Sequence, residues 1–377
     1  MRAAFLCVGV MAALLPGFGC AVATPEDDAI DALAGRLTEA VRSSDGGSFL
    51  ADVDLSDPYF AHEQRYLANA VTGDAVPAFE LERAGRTRAE GDTLVAPVRV
   101  RWQPSAEAEA RSATFDARFT RDAAGVWRYA GEDWEHARSD DPRIRVLATP
   151  ELEVEAELVR SAYARVAPRV EAFFEVSGAE LPPVKLYDNV AHLQLSISPT
   201  YDPPLGGWYE PGESIKMLWR TGRTPESIER VIAHELGHAL YFAMGIERDA
   251  TPWWAHEGVA EAAASSIHDK LAGVNERLAK LAAGDKLVEF EFLAVFDEDT
   301  FMQQRLAYPM GHSMVAYVLE RFGRERGFAW LVALGALGVD EASKQALGMG
   351  FDALDRDWRA TLQPSDDAAA ETDTAAP

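Results

Sequence analysis

The stretch His234-Glu235-Leu236-Gly237-His238, followed by Pro252-Trp253-Trp254-Ala255-His256-Glu257-Gly258-Val259-Ala260-Glu261, anchors the reading of this 377-residue chain. Thr224-Pro225 opens a helix ahead of it: threonine caps free N–H groups, and proline at the first helical position forfeits no hydrogen bond. Gly245 is a natural stop. Between them Ile228, Val231, Ile232, Leu236, Ala239, Leu240 and Ala243 form an apolar stripe at helical spacing. His234 and His238 are four residues apart, one turn along the same face, so their rings can converge on one ion. Glu235 lies seven residues after Ile228, where the stripe calls for an apolar side chain. A buried carboxylate without a partner costs several kcal/mol, and a water held by a metal ion would compensate it.

A catalytic zinc site takes three protein ligands and keeps a position open, with His or Glu as a common third ligand. Eighteen residues separate His238 from Glu257. H-E-x-x-H, eighteen residues, then Glu in a Trp-x-x-Glu-Gly setting resembles the signature of the gluzincin zinc metallopeptidases. That clan includes thermolysin-like and aminopeptidase-N-like enzymes and bacterial peptidase MA-like domains. The resemblance spans about residues 144 to 362. It implies one zinc per chain, bound by His234, His238 and Glu257, with Glu235 as general base. A metzincin site needs Gly and His where Tyr241 and Met244 stand. Glu261, one turn beyond Glu257, is expected to hold the free ring nitrogen of His234 and fix its tautomer. The alternatives for Glu261 are a solvated surface acid or the third zinc ligand itself.

Ala307-Tyr308-Pro309-Met310-Gly311-His312 opens a later helix. In aminopeptidase-N-like gluzincins a Tyr followed three residues on by Gly begins a similar helix, and its phenol donates to the tetrahedral oxyanion. The resemblance therefore implies that role for Tyr308, which a core tyrosine would not have. His312 is a poorer backup donor. Gly206-Gly207-Trp208-Tyr209-Glu210-Pro211 stands about where aminopeptidases carry Gly-x-Met-Glu-Asn, whose glutamate grips the substrate amine. Here Met and Asn are absent and Glu210 is displaced by one residue, a slip that turns a side chain to the opposite face of a strand. Trp208 and Glu210 are read as substrate-binding candidates, on an edge strand able to pair with an extended peptide. His256 directly precedes the proposed ligand and is expected to point elsewhere, as a structural or substrate-rim residue.

The rest of the chain reads as an α+β protein. Asp27 to Arg42 has helical spacing; Leu94 to Trp102 and Ala113 to Phe119 alternate as half-buried antiparallel strands, and Gly125 to Tyr129 is another. Helices followed by a meander of about four strands resemble, in element order alone, the cone-shaped nuclear-transport-factor-2-like folds. The plainer expectation is a small α+β domain that positions or shields its neighbour, over residues 24–140. Ser139-Asp140-Asp141-Pro142 reads as a linker. The second domain, residues 141–363, is expected to carry a small mixed sheet (144–147, 184–187, 215–218), a long helix from Glu151 to Glu175 kinked at Pro168, and an almost wholly helical half from Thr224 to Leu362. Residues 364–377 read as a disordered acidic tail.

Residues 1–23 read as a secretory signal: Arg2, an apolar run from Ala3 to Leu15, then Ala21-Val22-Ala23 as the cleavage site. The chain is therefore expected to be exported, to a bacterial periplasm or envelope or into the medium. Both cysteines, Cys7 and Cys20, fall in this segment, which leaves neither a disulfide nor a thiol nucleophile beyond it. Cys20 is also a candidate lipid-anchor site, although Gly17 stands where lipoproteins usually have leucine. No apolar run is long enough to span a bilayer. A net charge of −25, from 61 acids and 36 bases, argues against a nucleic-acid partner, which would need a cationic face. The expected partner is a peptide or protein substrate. Two other classes are compatible with the motif: a zinc hydrolase of a non-peptide substrate, and an envelope binding or assembly protein on a metallopeptidase scaffold. Glu235 and Tyr308 weigh against the scaffold, because zinc binding alone needs neither.

Overall fold

The computed structural model describes residues 24–363 except 74–75, 138, 204 and 298–299. The signal segment, Cys20 and the acidic tail expected from the sequence lie outside the described residues. Thr24 and Asp27 cap each other's backbone at the start of α1 (Pro25–Arg42), and Ile30, Leu33, Leu37 and Val41 form its buried stripe. Two further helices follow, α2 (Gly46–Ala51) and α3 (Pro58–Gly73). They precede a five-stranded antiparallel sheet of β1 (Ala78–Arg83), β2 (Arg88–Glu90), β3 (Thr93–Gln103), β4 (Arg111–Arg121) and β5 (Trp127–Glu132). The alternation expected at 94–102 and 113–119 is the β3–β4 ladder, where Leu94 faces Phe119 and Val98 faces Phe115. The three helices share one apolar core with β1, β3, β4 and β5.

The second sheet has the order β6-β7-β8-β10-β9, from β6 (Glu135–Ala137), β7 (Val146–Ala148), β8 (Val184–Tyr187), β9 (Gly207–Trp208) and β10 (Ile215–Leu218). β7, β8 and β10 are parallel; β6 and β9 pair antiparallel at the two edges. The stretch 139–142 thus lies between two paired strands of this sheet and is not a free linker. Its polar, proline-containing composition suits that connection as well as a domain boundary.

One face of the sheet, with Val184, Leu186, Ile215 and Met217, packs on the main core with α4 (Glu153–Phe173) and α6 (Pro225–Ala243). The expected long helix is preceded by a 3-10 turn at Pro150–Leu152, ends at Phe173 and runs on through Pro168. On the opposite face Lys185 and Lys216 are cross-strand neighbours, both buried. The N-terminal unit covers them. Glu63 of α3 pairs with Lys185 and accepts from the Ser214 hydroxyl, while Glu213 lies 2.9 Å from Lys216. Leu195 of α5 (Val190–Ile197) enters the N-terminal core from the other side of this junction.

Beyond α6 the chain is helical: α7 (Trp253–Ser265), α8 (Leu271–Ala283), α9 (Phe301–Gln304), α10 (Ala307–Phe322), α11 (Arg324–Leu337), α12 (Val339–Leu347) and α13 (Phe351–Thr361). Residues 284–297 carry no helix and interrupt the expected run. Gly258 of α7 and Gly311 of α10 meet backbone to backbone, and a Cβ on either would overlap the other helix. Among the described residues no helix is long and apolar enough to cross a membrane.

Candidate metal centre

Thr224 caps α6 as its sequence suggests, accepting from the Ser227 N–H at 3.2 Å, and His234, Glu235 and His238 all lie on this helix. His234 Nε2 and His238 Nε2 are 3.2 Å apart. Glu257 Oε2, from α7, lies 3.2 Å from the first and 3.6 Å from the second. Ligands about 2.0–2.2 Å from a tetrahedral zinc ion are separated from one another by roughly 3.3 Å, so this triangle has the size such an ion requires. Two imidazole nitrogens and a carboxylate oxygen also match its donor preferences. Oε2 of Glu257 is buried without a hydrogen-bond partner among the described residues. An orphaned carboxylate oxygen facing two ring nitrogens is what a cation would satisfy. Among the described residues His234, His238 and Glu257 are the group of acids and histidines close enough to hold a metal.

Surrounding residues hold Glu257 and His234 in place. Trp253 donates from Nε1 to Glu257 Oε1 at 3.0 Å, one turn earlier on α7. Glu261 Oε1 lies 3.3 Å from His234 Nδ1, and its other oxygen accepts from Arg230 at 2.9 Å. Glu261 thus lies beside Nδ1 of His234 and is not one of the three residues of the ligand triangle. Burial pulls His234 toward its neutral form, but Glu257 and Glu261 outweigh it and raise its pKa. Burial works against the Glu261 carboxylate, yet His234 and Arg230 lower its pKa to about 2.

Glu235 is buried and lines the same cleft as the triangle, a cavity of about 640 Å³. Burial raises its pKa, offset in part by His234 and His238. Gly207 of β9 backs directly onto Glu235: a Cβ there would overlap Oε1, so the edge strand comes this close because the residue is glycine. Tyr308, at the start of α10, lies with its ring 6.2 Å from that of His234 and 5.7 Å edge-on from that of Trp253. Burial first, then Glu257 and Glu235, raise its pKa well above 10, so the phenol keeps its proton.

Trp208 lines the cleft from β9, at the edge of the sheet. Glu210 does not line it. Its carboxylate pairs with Arg248, whose guanidinium also sits 5.6 Å from the Trp208 ring. His256 lines the cleft, where a substrate-rim residue would stand; its ring is 5.5 Å from that of His238, and burial lowers its pKa to about 3. His312 is buried a turn beyond Tyr308 and is not among the cleft residues. Sequence reasoning missed Trp253, Arg230 and Gly207. The first two carried a signal, each standing four residues before the side chain it supports or adjoins (Glu257, His234).

No protein-family description matches this chain, and no curated protein matches it. Among solved structures it is similar to an M1 zinc metallopeptidase from Deinococcus radiodurans, at 14% identity and a TM-score of 0.36, over 76% of this chain and 62% of that one. A two-domain M1 zinc metallopeptidase mutant bound to L-arginine is similar at 13% identity and a TM-score of 0.38, over 77% and 62% of the two chains. The chain thus spans about three-fifths of the length of these structures. The likeness is loose, and the assignment of the metal centre rests on its own residues.

Proposed function

We propose that this protein is an exported zinc-dependent metallopeptidase of the gluzincin kind, hydrolysing peptide bonds in the cleft between β9 and helices α6, α7 and α10. The observation that carries the reading is the His234–His238–Glu257 triangle, its second and third members buried, with Glu235, a further acid, beside it in the same cleft. Bound to that triangle, zinc would supply a Lewis acid that acidifies a water and polarises a carbonyl. Glu235 takes the proton of the attacking water on its carboxylate and passes it to the departing amine. A carboxyl whose pKa is raised by burial suits both halves of that task. The protonated phenol of Tyr308 donates to the oxyanion as the carbonyl becomes tetrahedral. Glu261, held by Arg230, fixes the tautomer of His234. The open edge of β9 at Gly207 and Trp208 offers backbone groups to an extended peptide.

The Arg248 ion pair argues against Glu210 as a seat for a substrate amine, which favours cleavage within a chain over trimming from its start. Export rests on the composition of residues 1–23, and the N-terminal unit is read as a rigid cover for the lysine-bearing face of the catalytic sheet. The test is the zinc-loaded protein on a diverse peptide pool, with products read by mass spectrometry and Glu235→Gln as control. Internal cuts absent from the control are expected. A zinc-replete protein that cuts no peptide would overturn the reading.

A further inference from the structure

Four Lys and Arg side chains line the cleft: Arg223, Arg230, Arg248 and Lys270. Three have acids. Arg230 lies 2.9 Å from Glu261, Arg248 pairs with Glu210, and Lys270 is 3.8 Å from Glu226. Arg223 has no acid within ion-pair distance among the described residues, in a chain with 61 acids and 36 bases. Among the described residues its side chain makes one hydrogen bond, from Nη2 to the Leu218 carbonyl at 3.0 Å. Its Nε is buried and has no partner among the described residues. Leu218 ends β10 and Thr224 caps α6, so Arg223 sits between two regular elements, beside Gly206 at the start of the edge strand.

An unpaired, half-buried guanidinium is costly, and its planar fork of donors fits a carboxylate. Burial and the neighbouring Arg220 both weigh against its positive charge, so an arriving anion relieves two penalties at once. Resting on the peptidase reading above, we propose that Arg223 determines specificity by binding a carboxylate of the substrate peptide. The carboxylate is either an acidic side chain near the scissile bond or the free carboxyl terminus.

The test uses pairs of amidated peptides differing only by Glu against Gln at each position flanking a cut, and pairs differing only in a free or amidated carboxyl terminus. Turnover is measured with the zinc-loaded full chain, and binding with its Glu235→Gln variant by calorimetry. One member of a pair should be favoured by about 10- to 100-fold in kcat/KM or Kd, as expected for a charge-assisted contact. Arg223→Gln should erase that ratio, bringing the two members of each pair to the same kcat/KM and Kd. Arg223→Glu should turn the preference toward a Lys-containing peptide, a gain that a misfolded protein cannot show. Preference confined to free termini identifies the terminal carboxylate; preference within amidated peptides identifies a side chain. Equal binding and turnover across every pair, or binding of no peptide at all, overturns the proposal. Arg223-dependent binding without cleavage would uphold it and sink the peptidase reading alone.

Discussion

The indole of Trp253 donates to Oε1 of Glu257 at 3.0 Å, which leaves Oε2 to face His234 and His238. One turn of α7 therefore decides which oxygen of the third ligand is presented. Trp253→Phe keeps the ring's bulk and frees that oxygen. Zinc affinity should fall by about 10-fold or more, as for other partners of metal ligands, with activity largely restored at saturating zinc. Competition against a chelator measures it. Unchanged affinity would mean that helix packing alone orients the carboxylate.

Tyr308→Phe removes a proton donor and little else, because the ring packs on Trp253 and His234. We expect kcat to fall roughly 100- to 1,000-fold with zinc content unchanged. Metal analysis alongside steady-state kinetics separates this outcome from loss of the metal.

Gly207→Ala tests the closeness of β9 to Glu235. The new methyl group would overlap Oε1 of Glu235, so the strand or the carboxylate must move. A displacement of about 1 Å at a reacting group can cost on the order of 100-fold in rate. We expect a loss of that order in kcat, normal zinc content and near-normal melting. Wild-type kcat would place the proton transfer elsewhere.

Acid stability should report the junction of the two units. Burial raises the Glu63 carboxyl, but Lys185 and Lys216 outweigh it and hold its pKa at about 2, below its ordinary 4.5. Stability from this ion pair is complete above about pH 4.5 and drains away as pH falls through about 2, on the order of 3 kcal/mol in all. Glu63→Gln should abolish that slope in pH-dependent chemical unfolding. At neutral pH it should cost about 3–5 kcal/mol, since Lys185 would remain buried without its acid.

The legible parts of this chain are those where period does the work. The stripe of α6, the alternation of β3 and β4 and the four-residue spacing of His234 and His238 follow from helix and strand geometry and need no tertiary knowledge. Strand β6 has only three residues, and its place in the second sheet is set by pairing with β7, so the stretch after it reads as a linker. The part-buried pair of Arg248 and Glu210 joins residues 38 apart, and nothing local marks either as the other's partner. The lysines of β8 and β10 look like surface residues because each strand alternates. Only the cross-strand register and the covering N-terminal unit show that both are buried. Trp253 was passed over because an indole is counted as apolar, although its one N–H is the group that matters here.

The meeting of Gly258 and Gly311 has a consequence for how freely this protein can vary. Because the two main chains touch, the separation between the helix that carries Glu257 and the helix that carries Tyr308 is set by atoms every residue shares. That separation therefore depends less on the volumes of neighbouring aliphatic side chains than on these two glycines. The whole tolerance of the arrangement is concentrated against change at two positions, where even alanine is too large.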